Sequence, residues 1–333
     1  MIKVTALTAN RDDPASRFRI RQFIGPLAYF GIDVTEHYLP ITRYRRQPLA
    51  SLAMLMRLRG VAASRAGDIT WFRRELIPER LTLERFAGGR RIFDIDDAIW
   101  LHHNSGFSEK IVALCDGVIA GNRWLAEHYE KLGKPVWIVP TSVDTDVWIP
   151  PDTVSTGLWI IGWIGTASNL RYLQMIEEPL AQFLKQHPGT RLRVVCDRRP
   201  AFRLIPSELW EFIKWSPQCE VESVQTMNVG LMPLEDSEWA RGKCAFKMLL
   251  YMACGLPVVV SPVGVNRDLL HTDEIGLAAV MPDDWFESLR RLFIDQALSS
   301  HLGTAGRRLV EAEYSVKVNA LGLAKIFQQV SRQ

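Results

Sequence analysis

Gly242–Asn266 reads GKCAFKMLLYMACGLPVVVSPVGVN, and the order of its parts decides the fold. A basic, glycine-led turn opens it. Ala245–Cys254 has the apolar spacing of a helix, Gly255-Leu256-Pro257 ends that helix, and Val258–Ser261 is a short apolar run of strand length. A helix feeding a buried strand is one step of a βαβ chain. Lys243 and Lys247 are four residues apart, so a helix beginning at this turn puts both ammonium groups on one face. Free N–H groups at that end add positive potential, which suits a phosphate-bearing ligand. The same pattern also fits an amphipathic helix with solvated lysines.

Outward from this block the βα rhythm continues. Strands are expected at Ile2–Thr8, Asp33–His37, Asp68–Phe72, Arg91–Ile95, Gly117–Ala120 and Val136–Val139, then at Trp159–Ile164, Arg191–Cys196, Val229–Pro233, Val258–Ser261 and Leu277–Val280. Helices are expected between them, including Ser16–Tyr29, Leu49–Ala63, Leu81–Ala87, Leu170–Gln186, Pro206–Lys214 and Val316–Val330. Strands alternating with helices imply parallel sheets. The Pro-, Asp- and Thr-rich segment Thr141–Gly157 reads as a linker. Ligands of such sheets bind beyond the carboxyl ends of the strands, so the loops there are where chemistry is sought.

Composition narrows the classes. With 333 residues, 47% hydrophobic and 23% charged, the chain is globular and long enough for two domains. No apolar run approaches the ~20 residues that span a bilayer, and the start MIKVTALTAN has no signal-like core. Five scattered cysteines without a C-x-x-C pair suggest free thiols in a reducing cytoplasm. No His/Cys cluster has zinc spacing. Net charge is +3 but uneven. Arg43–Arg91 holds twelve arginines against four acids, beside the apolar run Leu49–Leu58. That fits an anionic membrane surface, an anionic acceptor or a solvated arginine face. Nucleic acid is disfavoured, because no reading motif or interleaved aromatics accompany the charge.

Three loops carry candidate chemistry. In NRDDPASRFR from Asn10, Ser16 is a plausible N-cap, which would put Arg17, Arg19 and Arg21 in early turns, where a helix dipole disfavours cations. An anion-facing role for Arg17 is expected. In FDIDDAIW from Phe93, Asp94 ends a strand and Asp96 and Asp97 lie beyond it, placed to accept a hydroxyl's hydrogen bond or act as base, or to cap the next helix. His102 and His103 follow and read as exposed. In GWIGTASN from Gly162, the hydroxyls of Thr166 and Ser168 with nearby backbone N–H groups could hold a phosphate.

Val229–Leu234, Asp236, Trp239 and the GK turn together resemble the sugar-nucleotide half of retaining glycosyltransferases of the GT-B fold, close to family 4 (group 1). LCDGVIAGNRWLAEHY from Leu114, PTSVDTDVWIP from Pro140, and Glu311–Ser315 with its last helix carry the same resemblance. It implies an α/β chain of two Rossmann-like domains facing across a cleft. These would be an acceptor-side domain over 1–150, a nucleotide-sugar domain over 151–315 and a helix over 316–333 returning to the first. It implies transfer of a sugar from a nucleoside-diphosphate sugar to a hydroxyl, with retention and without cofactor or metal. The acceptor is expected to be a glycan or lipid-linked molecule, and the protein to lie in the cytoplasm or peripherally at the inner membrane face. The expected catalytic residues are Asp96, Asp97 and Lys247. The expected donor contacts are Arg17, Gly165, Thr166, Ser168, Arg241, Gly242, Lys243 and Asn266. The chain departs from the family pattern. Thr166 stands where an arginine is usual, no lysine falls at Asn169–Arg171, and Gly242 and Leu250 occupy two glutamate positions. Rewired donor binding or an inactive GT-B-like binding protein would explain this, and a sugar-nucleotide epimerase of the same architecture is a further alternative.

Overall fold

The computed structural model describes residues 1–41, 49–102, 106–151 and 157–332. Twelve strands run through it: β1 Ile2–Asn10, β2 Ile32–Leu39, β3 Ile69–Arg73, β4 Arg90–Ile95, β5 Gly117–Ala120, β6 Val136–Ile138, β7 Trp159–Gly165, β8 Thr190–Cys196, β9 Trp210–Lys214, β10 Val229–Met232, β11 Val258–Val260 and β12 Gly276–Ala278. They form two six-stranded sheets, ordered β2-β1-β3-β4-β5-β6 and β12-β11-β10-β7-β8-β9. Every pairing is parallel. In each sheet the strand order reverses beside the first strand, between β1 and β3 and between β7 and β10. Such switch points open a crevice for a ligand at the carboxyl edge.

The chain divides into two units. Unit 1 comprises Met1–Ser142, Gly242–Cys244 and Val316–Gln333, and unit 2 comprises Val143–Arg241 and Ala245–Ser315. The crossing thus lies at Ser142, where a boundary at 150 is expected from sequence.

Unit 1 is held by the apolar faces of β1, β3 and β4 against the last helix, Val316–Val330. That helix buries Val316, Ala320, Leu323, Ala324, Phe327 and Val330 with Ile69, Trp71 and Ile92. Phe327 meets Trp71 edge-on at 5.0 Å between ring centres. Burial of a side chain of this size contributes roughly 1.5–3 kcal/mol. The return of the last helix to the first unit, implied by the family resemblance, is therefore present. Unit 2 packs β7, β8, β10 and β11 against helices Glu177–Gln186 and Pro282–Ile294, with Trp159, Trp163, Phe183 and Trp285 in its core.

Several expected elements differ. The helix expected over Ser16–Tyr29 is two short ones, Pro14–Arg19 and Ile24–Ala28. Its cap is Asp13 rather than Ser16, since the Asp13 carboxylate accepts from both Ser16 N–H (2.7 Å) and Ser16 Oγ (2.6 Å). Leu81–Ala87 keeps only a single turn, Glu84–Phe86, and Leu170–Gln186 breaks at Ile176. Pro206–Lys214 is not a helix. Its second half is the edge strand β9, whose Glu211 sits opposite Arg193 on β8 and accepts from its Nε at 2.5 Å.

Candidate functional site

The carboxyl edge of unit 1 carries a ladder of arginine–aspartate pairs. Innermost, Arg19 donates twice to Asp94 (2.9 and 3.1 Å) and once to the Val139 carbonyl (2.6 Å), while Trp71 Nε1 reaches Asp94 at 3.3 Å. Next, Arg73 at the end of β3 donates to Asp96 at 2.5 Å. Outermost, Arg74 stands 3.6 Å from Asp97. Side-chain exposure rises outward, from 2% and 1%, to 1% and 14%, to 29% and 28%. The inner pair is therefore structural, and only the outer carboxylates can meet a ligand. Arg74 holds a left-handed backbone at φ 62°, a costly conformation for a side-chain-bearing residue that clusters at functional sites. Arg73 Nε and Nη1 and Glu75 Oε2 are buried without a hydrogen-bond partner, an arrangement that asks for an explanation in a native core.

Burial pushes both Asp96 and Asp97 up, but the outcomes diverge. For Asp96 the charges of Arg73, Arg74 and Arg19 outweigh burial and hold it below the usual range. For Asp97 burial acts together with the Asp96 charge, and Lys243, Arg74 and Arg73 offset them incompletely, so it stays above the usual range. A carboxylate pair with separated affinities divides the roles of fixed charge and proton carrier. Asp97 is the one suited to hold and release a proton.

Gly242–Cys244 belongs to this edge. Asn122, whose Oδ1 caps the helix Arg123–Glu130, donates its amide to the carbonyls of Gly242 (3.1 Å) and Lys243 (3.2 Å). Cys244 Sγ lies 3.3 Å from the Asp96 carbonyl oxygen, and a Cβ on Gly121 would stand 2.5 Å from that sulfur. Burial, with Asp96 nearby, pushes the Cys244 thiol up to about 12, which keeps it unreactive. Arg17 sits over the Phe18 ring at 5.1 Å. In a helix of only six residues Arg17 and Arg19 fall in the last turn, where the dipole favours cations. The expected electrostatic oddity disappears.

Unit 2 is built differently. Tyr251 is buried at its switch point. Its hydroxyl accepts from Ile164 N–H on β7 (2.9 Å) and donates to the Leu231 carbonyl on β10 (3.3 Å). Gly230 leaves the room its ring fills, since a Cβ there would stand 2.1 Å from the ring. Lys247, in the first turn of helix Phe246–Ala253, reaches over the end of β7. A Cβ on Gly165 would meet Lys247 Cε at 2.7 Å, and the ammonium lies 5.8 Å from the Trp163 ring centre. Gly165 and Lys247 thus come together at the end of β7, and a cation here opposes the helix dipole, which an anionic ligand would reverse.

Other expected donor contacts separate. The helix begins at Phe246 after Ala245, whose φ is 52°, so Lys243 precedes the helix and does not share a face with Lys247. Arg241 forms an exposed two-pronged pair with Asp236 (2.8 and 3.1 Å). Thr166 Oγ1 and Ser168 Oγ bond each other at 3.0 Å, and the Asn169 amide donates to Thr166 Oγ1 (2.8 Å). The Ala167 N–H donates to Asp197 (2.7 Å). Asn266 is buried and donates to the Ser261 carbonyl (3.1 Å), while its own Oδ1 has no partner. His102 ends the turn Ile99–His102, and His103 lies outside the described residues, as do Arg43, Arg45 and Arg46. Glu75 and Tyr251 escaped the sequence reading, Arg19 entered it only as an oddly placed cation, and Arg73 and Arg74 only as part of a basic stretch. The available signal was Arg73-Arg74-Glu75 directly at a strand's end.

Among the described residues no group of three His, Cys, Asp or Glu side chains could hold a metal ion, and all five cysteines are free. No helix of the described residues is long and apolar enough to cross a membrane.

Residues 159–295 match the family described as glycosyl transferases group 1. A search of curated proteins finds no match. Among solved structures the chain is similar to sucrose-phosphate synthase from Thermosynechococcus elongatus, with a TM-score of 0.75, 14% identity and 99% of each chain covered. It is similar to Anabaena HepE in complex with UDP and glucose, with a TM-score of 0.73, 12% identity and 98% and 100% covered. WaaG, a glycosyltransferase of lipopolysaccharide biosynthesis, gives a TM-score of 0.70 at 12% identity with 98% and 99% covered. The chain therefore has the GT-B fold, and its segment 159–295 matches the group 1 glycosyltransferase family.

Proposed function

We propose that the protein transfers a sugar from a nucleoside-diphosphate sugar to a hydroxyl acceptor. The observation that carries this reading is Lys247, threaded over Gly165 at the switch point of the sheet in the family-matched segment. The barrier to transfer lies in charge growing on the leaving diphosphate, and a fixed cation there lowers it most. HepE with UDP and glucose, a chain of the same fold, supports a uridine-type donor. In unit 1, Asp97 is assigned to the acceptor hydroxyl's proton, with Asp96 as the fixed charge that Arg73 holds.

The finer assignment is a retaining hexosyltransferase of cell-surface glycan or glycolipid synthesis. It would act in the cytoplasm or at the inner membrane face, on a glycan or lipid-linked acceptor, with no cofactor or metal and no role for nucleic acid. A second reading, an inactive GT-B-like binding protein, draws on Leu250 being buried core where the family has an acid and on Asp197 occupying the Ala167 N–H. Thermal shift with UDP, GDP, TDP and their sugars separates the two. Stabilisation by one nucleotide with its sugar, followed by transfer, supports the enzyme. No shift with any of them overturns it. Transfer is expected to survive EDTA. Loss with EDTA and recovery with manganese would give Asp96 and Asp97 to a metal.

A further inference from the structure

Helix Leu49–Ser64 is inverted. Its buried face is Ala50, Ala53, Arg57, Gly60, Val61 and Ser64. Its outer face carries Leu55 at 65% exposure, with Leu49, Leu52, Met54, Met56 and Leu58 between 38% and 46%. An amphipathic helix of a globular domain normally does the opposite. The inner face is small because the helix lies close to its sheet. A Cβ on Gly60 would stand 2.8 Å from Leu7 Cδ2 and 3.0 Å from His37 Cβ. The outer leucines have no such reason. A contiguous exposed patch of this kind marks an interaction surface.

We propose that this face docks on an anionic lipid bilayer. Charge decides the occupant. Between Glu36 and Asp68 the chain has no acid and six arginines, Arg43, Arg45, Arg46, Arg57, Arg59 and Arg65. Of these Arg59 and Arg65 are exposed, and Arg65 donates to the carbonyl of Phe86, itself 51% exposed beside the exposed Arg85. Two copies of the chain meeting through this face would bring like charges together around the leucines. An anionic bilayer offers apolar depth and opposite charge in one surface. Single-stranded nucleic acid would call for aromatic platforms, whereas the face is leucine and methionine.

The position suits the proposed reaction. Arg57 donates to the carbonyls of Thr8, near the carboxyl end of β1, and Leu76, just past β3. Ala53 packs with Leu39, the last residue of β2, and Ile77. The first turns of the helix, with Leu49, Leu52 and Leu55, therefore lie at the same edge of unit 1 as Asp96 and Asp97. A bilayer held there presents the hydroxyl of a lipid-linked acceptor to the edge that would use it.

The test is co-sedimentation of the full chain with vesicles of phosphatidylglycerol and phosphatidylcholine, and of phosphatidylcholine alone, at low and high salt, without donor. Failure here leaves the donor assignment standing, and the converse holds. Binding is expected to the anionic vesicles and to fall at high salt, because screening shortens to roughly 3 Å near 1 M. Leu52→Gln and Leu55→Gln should each lower partitioning roughly tenfold, and Arg59→Gln should lower it less and flatten the salt dependence. All three positions are exposed, so melting temperatures should not change. No binding, binding indifferent to headgroup charge, or leucine variants that bind like the parent would overturn the proposal. So would a vesicle-free dimer by light scattering that Leu55→Gln abolishes, which would assign the face to a second copy.

Discussion

Both units are six-stranded parallel sheets whose order reverses beside the first strand, yet their carboxyl edges have opposite characters. Unit 1 stacks Arg19–Asp94, Arg73–Asp96 and Arg74–Asp97 from core to surface. At the switch point of unit 2, a neutral Tyr251 hydroxyl bridges β7 and β10, and Lys247 lies over Gly165. The difference shows that topology sets where a ligand can sit, while side chains set what can be done there. An edge dense in paired ions suits proton handling, because neighbouring charges move carboxyl affinities apart. A switch point with a neutral hydroxyl and a lysine beside it suits a ligand that brings its own negative charge.

The largest effect is expected in the ladder's base. Asp94→Ala leaves a buried guanidinium unpaired and should cost on the order of 3–5 kcal/mol, read as a lower urea midpoint. A loss under about 1 kcal/mol would mean the innermost pair is not a structural tie. Lys247→Ala should cost about 3 kcal/mol in kcat at saturating donor, with an unchanged melting temperature. An unchanged kcat would remove the lysine from the chemistry.

The outer carboxylates sharpen the contrast through pH. Folding raises the Asp97 affinity for its proton, by burial first and the Asp96 charge second. Its contribution to stability is therefore present in acid and lost as pH rises through the raised value. Asp97→Asn should raise the melting temperature at neutral pH, with the gain vanishing towards about pH 4. Asp96, held low by arginines that outweigh its burial, behaves oppositely. Asp96→Asn should lower the melting temperature at neutral pH and matter less as pH falls. Equal behaviour of the two variants would erase the division of roles. The smallest effect is expected for Arg241→Gln, since Arg241 forms an exposed pair with Asp236. Donor affinity should be unchanged.

The parallel βα plan was legible because buried strands such as Trp159–Gly165 and Val258–Val260 are short apolar runs between helical periodicities. Strand β9 was not. It is an edge strand of partly buried residues following Pro206, and what defines it is a cross-sheet partner, Arg193, 18 residues away. The arginine ladder was hidden for the same reason. Arg19 and Asp94 are 75 residues apart, and Arg73 and Asp96 are 23 apart. Sequence reading placed Asp96, Asp97 and Gly165 at strand ends and Lys247 in the first turns of a helix, where they are. It failed for Lys243, because helical spacing holds only inside a helix and Ala245 turns left-handed between the two lysines.

Lys247 is proposed to hold the donor's diphosphate. Calorimetric titration of the parent, Lys247→Ala and Arg241→Gln with the matching nucleoside diphosphate and monophosphate tests it without turnover. The parent and Arg241→Gln are expected to prefer the diphosphate, and Lys247→Ala to lose most of that preference while still binding the monophosphate. A Lys247→Ala protein that keeps the parent's preference for the diphosphate would contradict it.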